Sequence, residues 1–361
     1  MSNLDMLFQR DTQDSELYPQ YKRILAASPK LRRRDQAKEL EVTEAALIDH
    51  QCGVRSVRLD DQFSDLIRQL PELGYIMTLT RNEHCVHERK GIYQNVRING
   101  PMGLVIADDR KVDLRLILSR WALGFAVSEE TPRGTRYSLQ FFDKSGTAIQ
   151  KVFLQPKSHH DAYASLVETY RADDQRDGLT YEPMTDQPEY VDDSEVDRDQ
   201  VREEWTTMSD VHQFFGLLRR HKISREQAFR LVGEPWALPF DPSQLKDLLI
   251  TASDTTLPIM CFVGNHGNIQ IHTGPVDNIR VMGPWLNVLD PEFNLHLQRE
   301  GVASGWLVRK PTVDGVVTSL EFYDAQGETI AQFFGAREEG NPENTSWRAL
   351  AESVLREEQA A

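Results

Sequence analysis

Apolar and polar positions change period twice in each half of this chain of 361 residues. Spacings typical of short helices come first, and then segments such as 138–142 and 318–323 alternate or run apolar between Asp-x-x-Gly turns, as strands do. A helical pattern closes each series, around residues 160–170 and 346–357. First-half strands are predicted at 75–80, 96–98, 114–118, 124–128 and 149–154, with equivalents later. The pattern predicts an α+β fold in which helices precede an antiparallel meander.

The two series are copies of one another, because spaced sets of residues recur at nearly constant offsets. Residues 34–37, Arg-Asp-Gln-Ala, return as residues 225–228, Arg-Glu-Gln-Ala. At an offset of 183, Ile76-Met77, Asn95, Arg97 and Gly100-Pro101 recur as Ile259-Met260, Asn278, Arg280 and Gly283-Pro284. At an offset of 181, Ser138-Leu139, Phe141, Asp143 and Gly146 recur as Ser319-Leu320, Phe322, Asp324 and Gly327. We therefore expect two tandem pseudo-repeats, each a large antiparallel β-sheet flanked by helices.

Acidic residues are concentrated between the two copies. The chain has 41 Lys and Arg against 56 Asp and Glu, a net charge of −15, and residues 172–204 hold 13 of the acids against three Arg. This stretch has no clear apolar period, so it is predicted to be a solvated linker between an N-terminal repeat (1–171) and a C-terminal repeat (205–361). The acid excess disfavours nucleic acid as a partner, whereas its position in the linker leaves an anionic ligand acceptable elsewhere.

The chain shows no targeting or membrane segment in its sequence. Its first residues lack the apolar core of a signal peptide, and nowhere do about 18 apolar residues follow one another. Cys52, Cys85 and Cys261 are far apart and form no Cys-x-x-Cys pair, which favours reduced, half-buried thiols. We expect a cytoplasmic protein that is not embedded in a membrane.

Common enzyme signatures are missing: the sequence has no phosphate-binding loop, dinucleotide fingerprint, nucleophile elbow or His-Glu-x-x-His zinc motif. His84 and His87 suggest a metal cluster at first. On a strand, however, imidazoles three residues apart point to opposite faces, and no further ligands are near in sequence. We therefore favour a surface or turn pair of histidines over a zinc site.

The helical pattern after Ser209 contains a more informative histidine. Ser209 or Asp210 can cap this helix, and His212 lies in its first turn with Gly216 one turn further on. Glycine within a helix costs about 0.5–1 kcal/mol relative to alanine, so either a flat ligand or another element is expected to approach there. If it is another element, His212 is only a boundary residue. The apolar stripe expected to face the core consists of Val211, Phe214, Phe215 and Leu218.

Basic residues distinguish the second copy from the first. Residues 224–227 fit a capping box that places Arg225 in the first turn of a further helix, where a cation opposes the helix dipole. Lys310 lies on a predicted strand and Arg337 directly follows another. The first copy has Glu129 at the position of Lys310. A histidine with dispersed cations in one copy suits a planar, dianionic ligand that contains a metal.

Three segments together resemble a known family. They are residues 80–88 (TRNEHCVHE), 210–215 (DVHQFF) and 224–229 (SREQAF). The chain is similar over nearly its whole length to the cytoplasmic haem-utilisation proteins of Gram-negative bacteria, also called hemin-degrading factors, of the HemS, ChuS, ShuS, HmuS and PhuS types. The resemblance implies two pseudo-repeats and one haem b (iron protoporphyrin IX), held between the second copy's helices and the sheets.

The resemblance also implies roles for particular residues. His212 matches the family's proximal iron ligand, and Arg120 matches the distal arginine, which orients a water on the iron and would be the catalytic residue. In the first copy Tyr21 takes the position of His212, and since tyrosine can ligate haem iron, a second haem site there stays open. The residues that match the propionate-binding and pocket-lining positions are Arg225, Lys310, Gln332 and Arg337.

Two functions follow from this resemblance. The first is a haem-binding protein of bacterial haem uptake and iron acquisition, which receives haem from an inner-membrane ABC transporter and passes it to a downstream acceptor or oxygenase. The alternative is a haem-degrading enzyme that opens the macrocycle with reductant and O₂ or peroxide and releases iron. One protein ligand leaves the second axial position of the iron open, which serves both functions. A repeat scaffold that binds a protein partner and no cofactor is a third interpretation.

Overall fold

The computed structural model describes residues 3–8, 17–28, 31–175, 178–183, 189–338 and 340–357. The helices are α1 (Asn3–Phe8), α2 (Leu17–Ala27), α3 (Arg33–Glu39), α4 (Glu44–Asp49), α5 (Phe63–Gln69), α6 (His160–Thr169), α7 (Arg198–Thr206), α8 (Gln213–His221), α9 (Arg225–Val232), α10 (Leu245–Asp254) and α11 (Thr345–Glu357). The strands of the first copy are β1 (Ser56–Leu59), β2 (Gly74–Arg81), β3 (Cys85–Ile92), β4 (Arg97–Asn99), β5 (Met102–Ile106), β6 (Asp113–Ile117), β7 (Leu123–Thr131), β8 (Gly134–Phe142) and β9 (Ala148–Ser158). Those of the second are β10 (Ala237–Phe240), β11 (Ile259–Asn265), β12 (Asn268–Gly274), β13 (Ile279–Met282), β14 (Trp285–Leu289), β15 (Phe293–Gln298), β16 (Ser304–Thr312), β17 (Gly315–Tyr323) and β18 (Thr329–Gly335).

The strands form two antiparallel sheets of nine strands each, which confirms the predicted α+β class with two pseudo-repeats. The internal symmetry extends to the register of single hairpins. Thr131 pairs with Gly134 at the β7–β8 turn, and Thr312 pairs with Gly315 at the β16–β17 turn, 181 residues later. Both glycines have φ near +110°, a conformation that a side chain would strain.

The chain folds into two compact units, and each contains a short segment from the other copy. The first unit comprises Met1–Arg81, Glu88–Thr185 and Asn265–Gln270, and the second comprises Asn82–His87, Asp186–Gly264 and Ile271–Ala361. Within the described part of the chain, no helix has the length and apolar character needed to cross a membrane.

In the first unit the strands β1-β7-β8-β9-β2 lie side by side, and α1, α5 and α6 supply side chains to the same core. Residues 268–270 of β12 extend the β4–β5–β6 group, with Asn268 opposite Leu116. Asn265 anchors this inserted segment, because its Nδ2 donates to the carbonyl oxygens of Arg81 and Ile149, each at 2.9 Å.

Asn82 anchors the corresponding inserted segment of the second unit, residues 82–87. Its Nδ2 donates to the carbonyl oxygens of Gly264 at 3.1 Å and Ile330 at 2.8 Å, and its Oδ1 accepts from the backbone N–H of Cys85 at 2.9 Å. Residues 80–88 therefore contain a side chain with a structural role, since Asn82 satisfies backbone groups on β11 and β18.

The second unit has the strand order β10-β16-β17-β18-β11, with α10 and α11 against one core. A separate aromatic cluster joins α7, α8 and α9 to β16 and β17. Helix α7 begins inside the acidic segment, at Arg198, and buries Val201 and Trp205. The cluster matters for function because it carries the helix that follows His212.

Candidate functional site

His212 immediately precedes α8, and its side chain is 83% exposed. Asp210 fixes the orientation of the ring, because its Oδ1 accepts from the backbone N–H of His212 at 2.7 Å and from the ring Nδ1 at 2.6 Å. A carboxylate only accepts hydrogen bonds, so Nδ1 carries a proton, and in the neutral imidazole Nε2 is then the nitrogen with the lone pair. The imidazole thus presents a ligating nitrogen to the outside.

The Asp210 carboxylate is stabilised in its ionised form. The backbone hydrogen bond from His212 lowers the pKa of Asp210 most, and the ring hydrogen bond and the charge of Arg337 lower it further. Arg337 therefore acts electrostatically on the Asp210 carboxylate. The expectation that Asp210 or Ser209 caps α8 is wrong, because His212 occupies the N-cap position and the Asp210 side chain bonds to His212 itself.

The buried face of α8 differs from the predicted stripe. Phe214 and Leu217 are buried, whereas Phe215 is 50% exposed beside His212. Of the two alternatives for Gly216, the structure does not show packing against another element. Among the described residues, a Cβ added at Gly216 would have only the flexible guanidinium of Arg220 within 4 Å, at 3.0 Å. No side chain therefore projects from position 216, and the exposed Phe215 makes the surface next to the imidazole partly apolar. Such a surface suits a flat apolar ligand.

Three of the predicted pocket residues converge on a carboxylate that the sequence analysis does not identify. Glu321 on β17 is fully buried. It accepts hydrogen bonds at Oε1 from Lys310 Nζ (2.8 Å) and Ser319 Oγ (2.9 Å), and at Oε2 from Arg225 Nη2 (2.9 Å), Gln332 Nε2 (2.6 Å) and Tyr323 Oη (2.6 Å).

This network determines the charge state of its members. Burial alone would raise the pKa of Glu321, but the neighbouring Lys310 and Arg225 hold it well below its ordinary value. Burial lowers the pKa of Lys310, and Glu321 partly offsets that effect. For Arg225 the attraction to the Tyr323 and Glu321 side chains exceeds the effect of burial and raises the pKa. The network therefore contains two cations around one anion.

The same cations connect the sheet to α8. Lys310 Nζ lies 4.7 Å from the ring centroid of Phe214, and the Arg225 guanidinium lies 5.1 Å from Phe214 and 5.7 Å from Phe215. Phe214 also stacks on Phe229 of α9, with centroids 5.9 Å apart. Cation–π contacts of this kind contribute about 0.5–2 kcal/mol each. The position of the helix next to His212 therefore depends on Arg225 and Lys310.

The helix that supplies Arg225 begins as the sequence predicts. Ser224 Oγ accepts from the backbone N–H of Gln227 at 3.2 Å, and Gln227 Oε1 accepts from the backbone N–H of Ser224 at 2.8 Å, which confirms the capping box. The guanidinium of Arg225 then donates from Nε to Tyr323 Oη at 3.0 Å. Tyr323 and Glu321 are the pocket residues that sequence reasoning missed. A lone carboxylate within an apolar strand, between Leu320 and Phe322, was the available signal.

The other sequence-predicted residues lie elsewhere in the fold. Arg120 belongs to the first unit, where it ends the 3₁₀ turn Leu118–Arg120 and is half-buried. The adjacent Trp121 anchors that turn by donating from Nε1 to the carbonyl oxygen of Gly267 at 3.0 Å. Tyr21, the first-copy counterpart of His212, is buried and makes an edge contact with His50 at 5.2 Å.

The expectation of a surface or turn pair holds for one of the two histidines in residues 80–88. His84 lies in the bend before β3, with its Nε2 3.8 Å from Asp324 Oδ2. His87 instead is fully buried on β3, with its ring 4.9 Å from that of Phe293, so the surface interpretation is wrong for it. No cluster of three or more His, Cys, Asp or Glu side chains suited to a metal ion occurs among the residues that the structure describes. Cys52, Cys85 and Cys261 are free thiols, and each is fully rather than half buried.

Comparisons with known proteins place this chain in one family. A family described as the haemin-degrading HemS.ChuX domain matches residues 41–170 and 222–354. The hemin transport protein HmuS of Yersinia pestis is 38% identical over 348 residues, which cover 96% of this chain and 100% of the relative.

Two solved structures agree with these sequence matches. Holo-PhuS, a heme-binding protein from Pseudomonas aeruginosa, has 47% sequence identity and a TM-score of 0.92, with 95% of this chain and 99% of that chain covered. ChuS, described as an E. coli heme oxygenase, has 38% identity and a TM-score of 0.84, with 93% and 99% covered. The matches extend over both repeats. The chain belongs to the haemin-degrading HemS/ChuX family.

Proposed function

We propose that this chain binds haem b through its second repeat and serves bacterial haem uptake and iron acquisition as a cytoplasmic haem-trafficking protein. The observation that carries the proposal is the outward Nε2 of His212, held in its ligating tautomer by Asp210. Iron-ligating histidines commonly donate their second ring N–H to a carboxylate, which orients the ring and strengthens the ligand. The relatives reported above, a hemin transport protein and a heme-binding protein, support the same ligand.

The charges around the site suit the two propionates of haem. The hydrogen bonds described above use one of the three N–H donors of Lys310 and two of the five of Arg225, so both cations keep donors for a ligand. Arg337 adds a cation near Asp210. A hydrogen bond between such a cation and a carboxylate contributes about 1.5–3 kcal/mol. Gln332, bound to the same Glu321, is the proposed neutral member of the pocket.

A trafficking protein must also release its haem. With His212 as the one protein ligand, the second axial position of the iron would remain exchangeable. We propose that an inner-membrane haem ABC transporter supplies the haem and that a downstream acceptor or oxygenase receives it.

Titration with hemin tests the binding function. We expect a Soret change that saturates at one hemin per chain, with weaker binding of hemin dimethyl ester, which lacks the free carboxylates. Absorbance titration and equilibrium dialysis measure the stoichiometry. A linear, unsaturable response would reject the proposal, and saturation at two hemins per chain would point to a second site in the repeat that carries Tyr21.

The alternative function, haem degradation, is favoured by the description of the ChuS structure as a heme oxygenase. Under this alternative, Arg120 is the proposed distal residue that acts on the open face of the haem. Reductant added to the hemin complex in the presence of catalase separates the two functions. As a carrier, the protein should keep its haem colour and produce neither carbon monoxide nor a linear tetrapyrrole under these conditions.

If carbon monoxide or a linear tetrapyrrole forms together with released iron while catalase is present, the chain is an enzyme. Arg120→Ala should then slow formation of that product by about tenfold or more. An unchanged rate and product in that variant would remove Arg120 from the reaction. Arg110→Ala, which changes an arginine ion-paired to Asp113 in the same unit, is the matched control.

A further inference from the structure

Glu321 accepts hydrogen bonds from side chains on four different elements. Its donors come from β16, β17, β18 and α9, and its carboxylate is buried beneath the aromatic cluster of α7–α9. An ionised carboxylate offers about four lone-pair sites, and five donors point at these two oxygens. A carboxylate bound on all sides cannot rotate without breaking several hydrogen bonds. Glu321 therefore fixes the positions of Arg225, Lys310 and Gln332 relative to one another.

Glu321 also sets the charge that these groups present to a ligand. Together, Arg225, Lys310 and Glu321 carry one net positive charge. Arg337 adds a cation that acts on the ionised Asp210 carboxylate. The Glu321 network therefore keeps one net positive charge that favours an anionic ligand. Without Glu321, two cations would lie in a buried site with no counter-charge, which strongly favours their neutralisation or displacement.

The network extends to the helix next to His212. Arg225 and Lys310, both held by Glu321, contact the Phe214 ring, and Phe214 is two residues from His212. A displacement of these cations would therefore reach the start of α8.

We propose that Glu321 is a positioning residue, which orients Arg225, Lys310 and Gln332 so that their free donors select a ligand with two carboxylates. This inference rests on the proposed haem function. Glu321 does not itself contact the ligand, since its two oxygens are occupied by protein donors.

The experiment compares hemin with hemin dimethyl ester in wild-type protein and in Glu321→Gln. The readout is the ratio of the two affinities, which a merely structural weakening would leave unchanged because both ligands would lose affinity equally. We expect Glu321→Gln to reduce the preference for hemin about tenfold, while the spectrum of the hemin complex retains its histidine-ligated form. Circular dichroism establishes that the variant is folded.

Glu321→Asp is the second variant, because it retains the negative charge and withdraws the carboxylate by one methylene group. A positioning role predicts a reduced preference here too, whereas a role as counter-charge alone predicts the wild-type ratio. Glu343→Gln is the matched control. Glu343 is a buried carboxylate of the same unit that accepts from Thr318 and Arg348 and touches none of the pocket residues named above.

Each outcome distinguishes the inference from the proposed function. If the wild-type protein does not bind hemin, the proposed function fails. If it binds hemin but shows no preference over the ester, or if either folded Glu321 variant keeps the wild-type ratio, the positioning role is overturned and the haem function stands. The aspartate variant decides the question should the glutamine variant fail to fold.

Discussion

Replacing His212 with alanine should raise the dissociation rate of hemin about 100-fold or more and shift the Soret band of the complex. The variant removes the outward Nε2, and among the described residues 209–216 His212 is the one with an imidazole. Loss of a partner that merely orients a metal ligand already costs about 10–100-fold in affinity, so loss of the ligand itself should cost more. Transfer of hemin to an excess of apomyoglobin, followed by absorbance, measures the rate.

Asp210→Asn should produce a smaller effect in the same assay, about tenfold. The asparagine side chain can still accept from Nδ1 but no longer carries the charge that strengthens the imidazole as a ligand. His160→Ala changes an exposed histidine on α6 of the first unit and is the matched control. A wild-type Soret band and dissociation rate in His212→Ala would assign the iron to another residue.

Replacing Asn82 with alanine should destabilise the second unit by about 2–4 kcal/mol. The variant leaves the carbonyl oxygens of Gly264 and Ile330 without their side-chain donor and removes the acceptor of the Cys85 N–H. Because a chain with two units need not unfold in a single step, native-state hydrogen exchange is the suitable measurement. Protection should fall chiefly in β11 and β18.

Asn265→Ala provides a matched comparison, since Asn265 anchors the corresponding segment in the first unit. Its effect should appear in β2 and β9 instead. Asn99→Ala, at an exposed position of β4, should change stability by no more than about 0.5 kcal/mol. Equal loss of protection in both units from either anchor variant would contradict the assignment of one anchor to each unit.

The sequence predicted those features that depend on local pattern. Strand and helix positions followed from the apolar period, and the capping box at Ser224 followed from a spacing of three residues. The start of α8 was harder, because a serine and an aspartate both precede His212 and either could cap. In the structure the Asp210 side chain instead binds the imidazole. The residue pattern does not distinguish this arrangement from helix capping.

The exchange of segments between the two copies lay beyond the sequence pattern. Residues 82–87 and 265–270 look like ordinary connections between strands. Which unit each segment joins depends on the backbone carbonyls that lack donors once the strands have paired. Asn82 and Asn265 donate to such carbonyls, which are distant in sequence. The resemblance identified residues 80–88 as a family-like segment, but it gave no physical role for Asn82.

By itself, the sequence determined the tandem repeat and the α+β class, and it predicted candidate residues for a haem ligand, because periodicity, internal offsets and family-like segments can all be read along the chain. Only the tertiary structure decided that Arg225, Lys310 and Gln332 share one buried carboxylate, 11 to 96 residues away along the chain. Because the carboxylate is buried, it requires hydrogen-bond partners, and these side chains supply them. Which strands bury it, and which donors reach it, is settled by strand register and helix packing.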